Sequence, residues 1–329
     1  MKTILNDSKD PTFNLALEEY VLKELDSDED FVLLWQNANS VIIGRNQNTY
    51  EEINHELVKE HDVKVVRRIT GGGAVYHDLG NLNFSFITKS LKDNLNNYRK
   101  FTDPVIKVLN ELGVPAEFQG RNDIVVDGKK ISGNAQAWHK NKMLHHGTIL
   151  FDADLDFVAN VLNVKQEKIE SKGIKSNRAR VTNIKPFLIQ DTDINMFKVN
   201  LLQTLLNVTN INQLAYSLTD TDLHKIKQLQ SKKYCQWSWN YGESPNSHIV
   251  KEKRFLGGSL QIHFDILNGL IDKLKIYGDF LDTGDISIIS NRLQSVPYIY
   301  EKCYQALDDL NFEDLFINIS LNDFMSCLI

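Results

Sequence analysis

The chain has 329 residues, 42% of them hydrophobic and 24% charged, which is an ordinary globular composition. Its formal net charge of −6 argues against a dedicated nucleic-acid binder, a class that is usually basic overall. Three cysteines (Cys235, Cys303, Cys327) are too few and too irregularly spaced for a disulfide framework or a zinc site, no apolar run is as long as a membrane span, and the first residues lack a signal-peptide core, so a cytoplasmic protein with no membrane partner is expected.

Residues 13–25, FNLALEEYVLKEL, have helical periodicity, with Thr12 or Asn14 as a cap. Strand-like runs follow at 31–35, 41–43, 64–68, 74–76 and 82–87. Residues 97–112 read as a helix ended by Gly113, with Pro115 just beyond. DIVVDGKKISGNAQAW reads as a hairpin turning at Asp127-Gly128, and HHGTILF (145–151) as the next strand. Helices are expected near 154–162, 193–206 and 219–230, with a polar basic stretch at 171–185. Trp237, Trp239 and Tyr241 alternate and read as one face of a strand. Gly, Ser, Pro and Asn near 243–249 mark a linker. The pattern restarts at about 250 with two strands, GGSLQIHFDI and GLIDKLKIYGDF, and then helices near 284–294, 298–310 and 319–326. The expected fold class is α+β: a mixed β-sheet domain flanked by helices over 1–245, and a small C-terminal α+β domain over 250–329.

VVRRITGGGAVYHDLGNLNFSF, residues 65–86, sets three glycines between two strand-like runs. Glycine in a strand context costs backbone entropy and packs nothing. Such a turn lets backbone approach a ligand, with bare N–H groups facing an anion. It is no P-loop, because no Gly-Lys-Ser/Thr follows and the next element is a strand. Arg67 and Arg68 precede it on opposite strand faces, so only one can serve a shared pocket. The alternative is a loose loop with two solvated arginines. Further along, Asn122-Asp123 is compatible with simple turn chemistry. Of Lys129 and Lys130, at most one points inward. His145 and His146 point apart on their strand and cannot readily share a metal ion, with His139 nearby or not.

In combination these segments resemble the lipoate–protein ligases of the A type. RRITGGGAVYHDLGN fits that family's glycine signature at every position, and GRNDIVVDGKKISGNAQ, HHGTILF, SKGIKSNRARVTNI, WSWNYGESP and VIIGRNQN fit its other motifs. The resemblance spans essentially the whole chain and makes residues 1–245 the catalytic domain. It implies that ATP and lipoate give lipoyl-AMP, and that the lipoyl group then passes to one lysine of a lipoyl-accepting domain, in 2-oxoacid dehydrogenase E2 subunits or the glycine-cleavage H protein. It implies that Lys130 is the catalytic lysine, and that Arg68, Gly71, Gly72, Gly73, Ala74, Val75, Tyr76, Asn122, Asp123 and Arg180 bind ATP or lipoyl-AMP. Arg45, His77, His146 and Gly147 would form the lipoate pocket, and Asp123 would help to hold Mg²⁺. The basic stretch 171–185 would be a mobile lid that screens the adenylate. Deprotonation of the acceptor lysine could fall to Asp123, His146 or the adenylate phosphate.

Three rivals stand beside this reading. An ATP-independent acyltransferase of the same fold would need a cysteine nucleophile within the catalytic domain, and no cysteine precedes Cys235. A biotin ligase would interleave arginines with its glycines. A non-catalytic lipoate- or nucleotide-binding protein would have little reason to keep Lys130 and the basic stretch.

Overall fold

The strand-like runs of the first half all become strands in the computed structural model, which describes residues 1–47, 49–89, 94, 96–162, 181–241, 249–267 and 270–329. In chain order they are β1 (Lys2–Thr3), β2 (Phe31–Trp35), β3 (Ser40–Ile43), β4 (Lys64–Arg67), β5 (Val75–His77), β6 (Asn81–Thr88), β7 (Ala116–Gln119), β8 (Asp123–Val126), β9 (Lys129–His139) and β10 (Lys142–Leu150), followed by β11 (Ile249–Phe255), β12 (Gly258–Leu267) and β13 (Leu270–Gly278). A seven-stranded mixed sheet has the order β1-β2-β6-β10-β9-β8-β7, and two three-stranded sheets run β4-β3-β5 and β11-β12-β13. The α+β expectation therefore holds. Among the described residues no helix is long and apolar enough to cross a membrane.

The chain folds as two compact units. The first comprises Met1–Ile42, Ile53–Val66 and Val75–Trp239, and the second Ile43–Glu52, Arg67–Ala74 and Asn240–Ile329. In the first unit, Leu82, Phe84 and Phe86 of β6 and Val32 and Leu34 of β2 meet Phe101, Val105, Val108 and Leu109 of the helix Tyr98–Glu111 and Phe197 and Leu201 of the helix Ile194–Leu206. In the second, Leu260, Ile262 and Phe264 of β12 pack with Ile289, Leu293, Phe316 and Phe324.

Some expectations are corrected. The first helix spans Pro11–Lys23, and its cap is Asp10, whose carboxylate accepts the Thr12 N–H. Pro11 presets φ for the first helical position, so capping falls to the residue before it. Trp237, Trp239 and Tyr241 do not share a strand: Trp237–Asn240 is a helical turn. It follows a π-helical turn, Gln230–Tyr234, which sets Lys233 Nζ 3.9 Å over the Trp239 ring and bonds it to the buried Glu19. The small sheet has a third strand, β11, whose IVKEKRF lacks an apolar stretch because it lies at an edge. The expected linker near 243–249 falls almost entirely outside the described residues.

The Asp127-Gly128 turn is as expected. Asp127 (φ 50°) and Gly128 (φ 73°) are both left-handed, which gives a two-residue turn matched to strand twist. Gly128→Ala forces a Cβ into that region and should lower unfolding stability by about 1 kcal/mol, read as a shifted urea midpoint at unchanged slope. An unchanged midpoint would refute this turn geometry.

Candidate active site

Strand register collects polar side chains on one face of the large sheet. His146 pairs with Ser85 and Thr148 with Asn83 across β10–β6, while Trp35 of β2 pairs with Asn83. Directly opposed residues share a face, so these stand together on the side away from Phe84 and Phe86. The face is not solvated: Ser85 is 0% exposed, Asn83 2% and His146 8%. Buried polar groups need partners, and here they form a chain. Trp35 Nε1–H donates to Ser85 Oγ (2.8 Å), Ser85 donates to Glu18 Oε1 (2.6 Å), and His146 Nδ1 lies 2.9 and 3.0 Å from the two Glu18 oxygens. A proton on Nδ1 toward Glu18 leaves Nε2 the acceptor of the neutral ring. His77 joins the group, its Nδ1 3.1 Å from Asn37 Nδ2 and its ring edge-on to Trp35.

Lys130 reaches Asp123 by crossing a glycine. β9 carries a bulge that pairs Lys130 with Val125, and Lys130 Nζ lies 2.7 Å from Asp123 Oδ1. A Cβ on Gly133 would stand 2.8 Å from Nζ and 2.9 Å from Cε. Gly133 is thus the gap through which the lysine stem passes. Lys129 is exposed, so the two lysines differ as strand alternation demands. Asn122 is clamped to Asn134: its amide donates to the Asn134 carbonyl, and its own carbonyl accepts the Asn134 backbone N–H at 3.0 Å and Nδ2 at 3.0 Å. Beyond Lys130 the chain leaving the basic stretch lies against β9, with Thr182 N–H donating to the Lys130 carbonyl (3.0 Å). Arg180, Lys172, Lys175 and Arg178 lie outside the described residues. Lys185, the last of that set, pairs with Asp152 at 2.6 Å.

The glycine turn belongs to the second unit, and neither of its arginines is solvated: Arg67 is 7% exposed and Arg68 6%. Arg67 holds the carbonyls of Gly44 (2.9 Å) and Gln47 (2.6 Å) and the Thr49 hydroxyl (2.7 Å), and burial lowers its pKa to about 10. Arg68 bonds Thr70 Oγ1 (2.9 Å) and the carbonyls of Gly71 (2.7 Å) and Gly73 (2.8 Å). Across a planar trans peptide the next N–H points the other way. The Gly72 N–H accordingly donates to the Phe280 carbonyl (3.1 Å).

Packing asks for two of the three glycines. A Cβ on Gly71 would come within 2.7 Å of the Phe280 oxygen and 2.9 Å of Asp282 Oδ1, and Gly72 has φ +91°. Gly73 has no left-handed φ, and its nearest described neighbour would be 4.0 Å away. Arg45 pairs with Asp282 at 3.0 Å. Burial pushes the Asp282 carboxyl up, against the pull of Arg45.

The structure therefore gathers the expected residues into two groups. Val75, Tyr76, His77, Asn122, Asp123, Lys130, His146 and Gly147 lie in the first unit; Arg45, Arg68 and Gly71–Ala74 lie in the second. Tyr76 bonds Asn39, and burial raises its phenol to about 12. Gly147 does not share the face of His146: a Cβ there would collide with Asn134 Oδ1 and Phe84 on the core side. Glu18, Trp35, Ser85 and Asn134 were not anticipated. The signals for two of them were an acid between Leu15 and Leu22 on the apolar stripe of the first helix, and the alternation NLNFSF. Cys303 and Cys327 are buried in the second unit's core, where burial raises both thiols, Cys327 to about 11.

Residues 10–206 match the family model described as the lipoyl protein ligase A/B catalytic domain, and residues 244–328 match the bacterial lipoate protein ligase C-terminus. The lipoate-protein ligase LplJ of Bacillus subtilis is 47% identical over 320 residues, 97% of each chain. The crystal structure of P. falciparum LipL1 in complex with lipoate is similar at a TM-score of 0.79 and 27% identity, covering 99% of this chain and 97% of that one. A lipoate-protein ligase A crystallised with bound ATP is similar at a TM-score of 0.62 and 28% identity, covering 73% of this chain and 98% of its own.

The glycine geometry yields a contrast. Gly71→Ala should destabilise the fold by about 1–3 kcal/mol through overpacking, whereas Gly73→Ala should change stability by less than about 0.5 kcal/mol. Thermal melts of the two variants decide, and equal losses would contradict the turn described.

Proposed function

This chain belongs to the lipoate–protein ligase A family and is an enzyme of that class, and from that premise we propose that it works through two half-reactions. Lipoate attacks the α-phosphorus of ATP, the bond to the β-phosphate breaks, and lipoyl-AMP and pyrophosphate form. The amine of an acceptor lysine then attacks the lipoyl carbonyl, an amide forms, and AMP leaves.

The observation that carries the reading is the ammonium of Lys130, held 2.7 Å from Asp123 with 40% of its side chain exposed. An ammonium has three donors, and Asp123 uses one. The others can bridge the lipoate carboxylate and the α-phosphate, two anions that must meet for the first step and whose charge grows in transfer. Gly73 and Ala74 supply backbone donors to the nucleotide: neither φ nor packing explains the missing side chain at Gly73, and close approach of a ligand does. Arg68 acts by fixing the turn's carbonyls, and Gly71 and Gly72 by letting it form; Val75 and Tyr76 continue the nucleotide's wall. His146 and His77, grouped with Trp35 and Glu18, line the lipoate pocket. Arg45 and Arg180 complete the set as anion partners, and the basic stretch 171–185 covers the adenylate.

Among the described residues no three His, Cys, Asp or Glu side chains are grouped to hold a metal ion. The residues fit an Mg²⁺ that arrives with the nucleotide, held by phosphate oxygens, water and the Asp123 carboxylate. Once bound it would neutralise phosphate charge. The acceptors are the lipoyl domains of E2 subunits and the glycine-cleavage H protein. The buried free thiols suit a reducing cytoplasm.

Intact mass of E2 lipoyl domains and of an H protein, incubated with enzyme, lipoate and Mg²⁺ with and without ATP, tests this. Lipoylation should require ATP and fall by about 100-fold or more in Lys130→Ala. Gly73→Ala should raise the KM for ATP several-fold while leaving the melting temperature in place. Modification without ATP, or an active Lys130→Ala, would overturn the proposal.

A further inference from the structure

His145 and His146 point to opposite faces of β10, and the chemistry above uses only His146. His145 is fully buried on the core side, stacked on Phe101 with centroids 4.8 Å apart and near Phe84 (6.2 Å), Tyr98 (5.7 Å) and Phe86 (6.4 Å). A phenylalanine would fill such a cage without polar atoms to satisfy. The imidazole instead makes two hydrogen bonds, and their directions follow from the donor inventory.

The Asn96 backbone N–H donates to Gln136 Oε1 at 2.9 Å. The other end of that amide is a pure donor, and it faces His145 Nδ1 at 3.1 Å. Nδ1 must therefore accept, and the ring proton sits on Nε2. Nε2 faces Asn134 Oδ1 at 3.2 Å. With its oxygen turned to His145, Asn134 presents Nδ2 to the Asn122 carbonyl at 3.0 Å and to Ser132 Oγ at 3.2 Å. The missing Cβ of Gly147 makes the room for Asn134 Oδ1. Asn122 adjoins Asp123, which pairs in register with Gly133 and binds Lys130 Nζ. Burial, with a smaller contribution from His146, holds the His145 ring well below its usual pKa and hence neutral. A second ring proton would set donor against donor at Gln136.

We infer that His145 is a positioning residue for Lys130: from behind the sheet its Nε2–H orients Asn134, which clamps Asn122 and so fixes the carboxylate of Asp123 that holds the lysine. The inference rests on the ligase reading for its kinetic test, but not for its structural one.

Two substitutions separate the relay from packing. Glutamine places its amide near the Nε2 position and keeps a donor to Asn134, while asparagine reaches only the Nδ1 position. Both lose the ring, so His145→Gln and His145→Asn should melt at similarly lowered temperatures. In pyrophosphate release from lipoate and ATP, measured below both melting transitions, kcat of His145→Gln should exceed that of His145→Asn by about tenfold, with KM for lipoate within about twofold. Asn134→Asp, which sets an acceptor against the Asn122 carbonyl and leaves His145 in place, should lose kcat like His145→Asn and covers the case in which the latter fails to fold. Trace acetylation read by mass spectrometry supplies a test without turnover: Lys130 should be labelled faster relative to Lys129 in His145→Asn and Asn134→Asp than in wild type. Equal kcat for the glutamine and asparagine variants, full activity of Asn134→Asp, or unchanged Lys130 labelling would overturn the relay. A wild-type enzyme that releases no pyrophosphate would instead refute the ligase reading, leaving the labelling to decide on His145.

Discussion

A polar group taken out of water must find a partner, and that constraint shapes both faces of the seven-stranded sheet. On one face Trp35, Ser85, Glu18 and His146 satisfy one another in sequence. On the other, Gln136, His145, Asn134 and Asn122 do the same, with His145 inside an aromatic cage. In the second network the Asn96 N–H fixes the direction of every bond from Gln136 through His145 to Asn134. A slip of one residue would turn every side chain to the other face and break each of these bonds, so polar pairing adds to apolar burial in fixing the register.

Glycine does two different jobs around the site. At Gly71, Gly133 and Gly147 the missing Cβ is filled by the protein itself: the Phe280 carbonyl and Asp282, the Lys130 stem, and the Asn134 amide respectively. At Gly73 no described residue comes nearer than 4.0 Å to the missing Cβ. Three adjacent letters in a sequence look alike, yet only the surrounding atoms separate a glycine demanded by packing from one that packing does not require.

Much of the fold was legible because it obeys local rules. The hairpin at Asp127-Gly128 needed two left-handed residues, and the sequence carries one of the few pairs that tolerate them well. NLNFSF announced a strand by strict alternation. What alternation could not say is that its polar side is buried, since the same pattern describes a strand with one wet face. Glu18 was visible as an acid on an apolar stripe, but its partners Ser85 and His146 come from β6 and β10, and no window of sequence contains all of them. WSWN misled for a related reason: aromatic residues at period two suit a strand, but a π-helical turn just before them had already committed the backbone to a helical path. His145 was rightly set apart from His146 by strand parity, while its relay depends on pairing across β9 and β10.

The second unit is assembled from three separated stretches of chain, and Arg45 meets Asp282 across 237 residues. Closing so long a loop costs entropy before any contact repays it, which places this step late in folding. During synthesis, residues 43–52 and 67–74 leave the ribosome long before residues 278–283 exist to receive them. The glycine turn must therefore wait for its partners until residues 278–283 have been made. Loss of the C-terminus would then cost more than an accessory domain: it would remove the Phe280 and Asp282 partners against which the signature loop near the other end of the chain takes its shape.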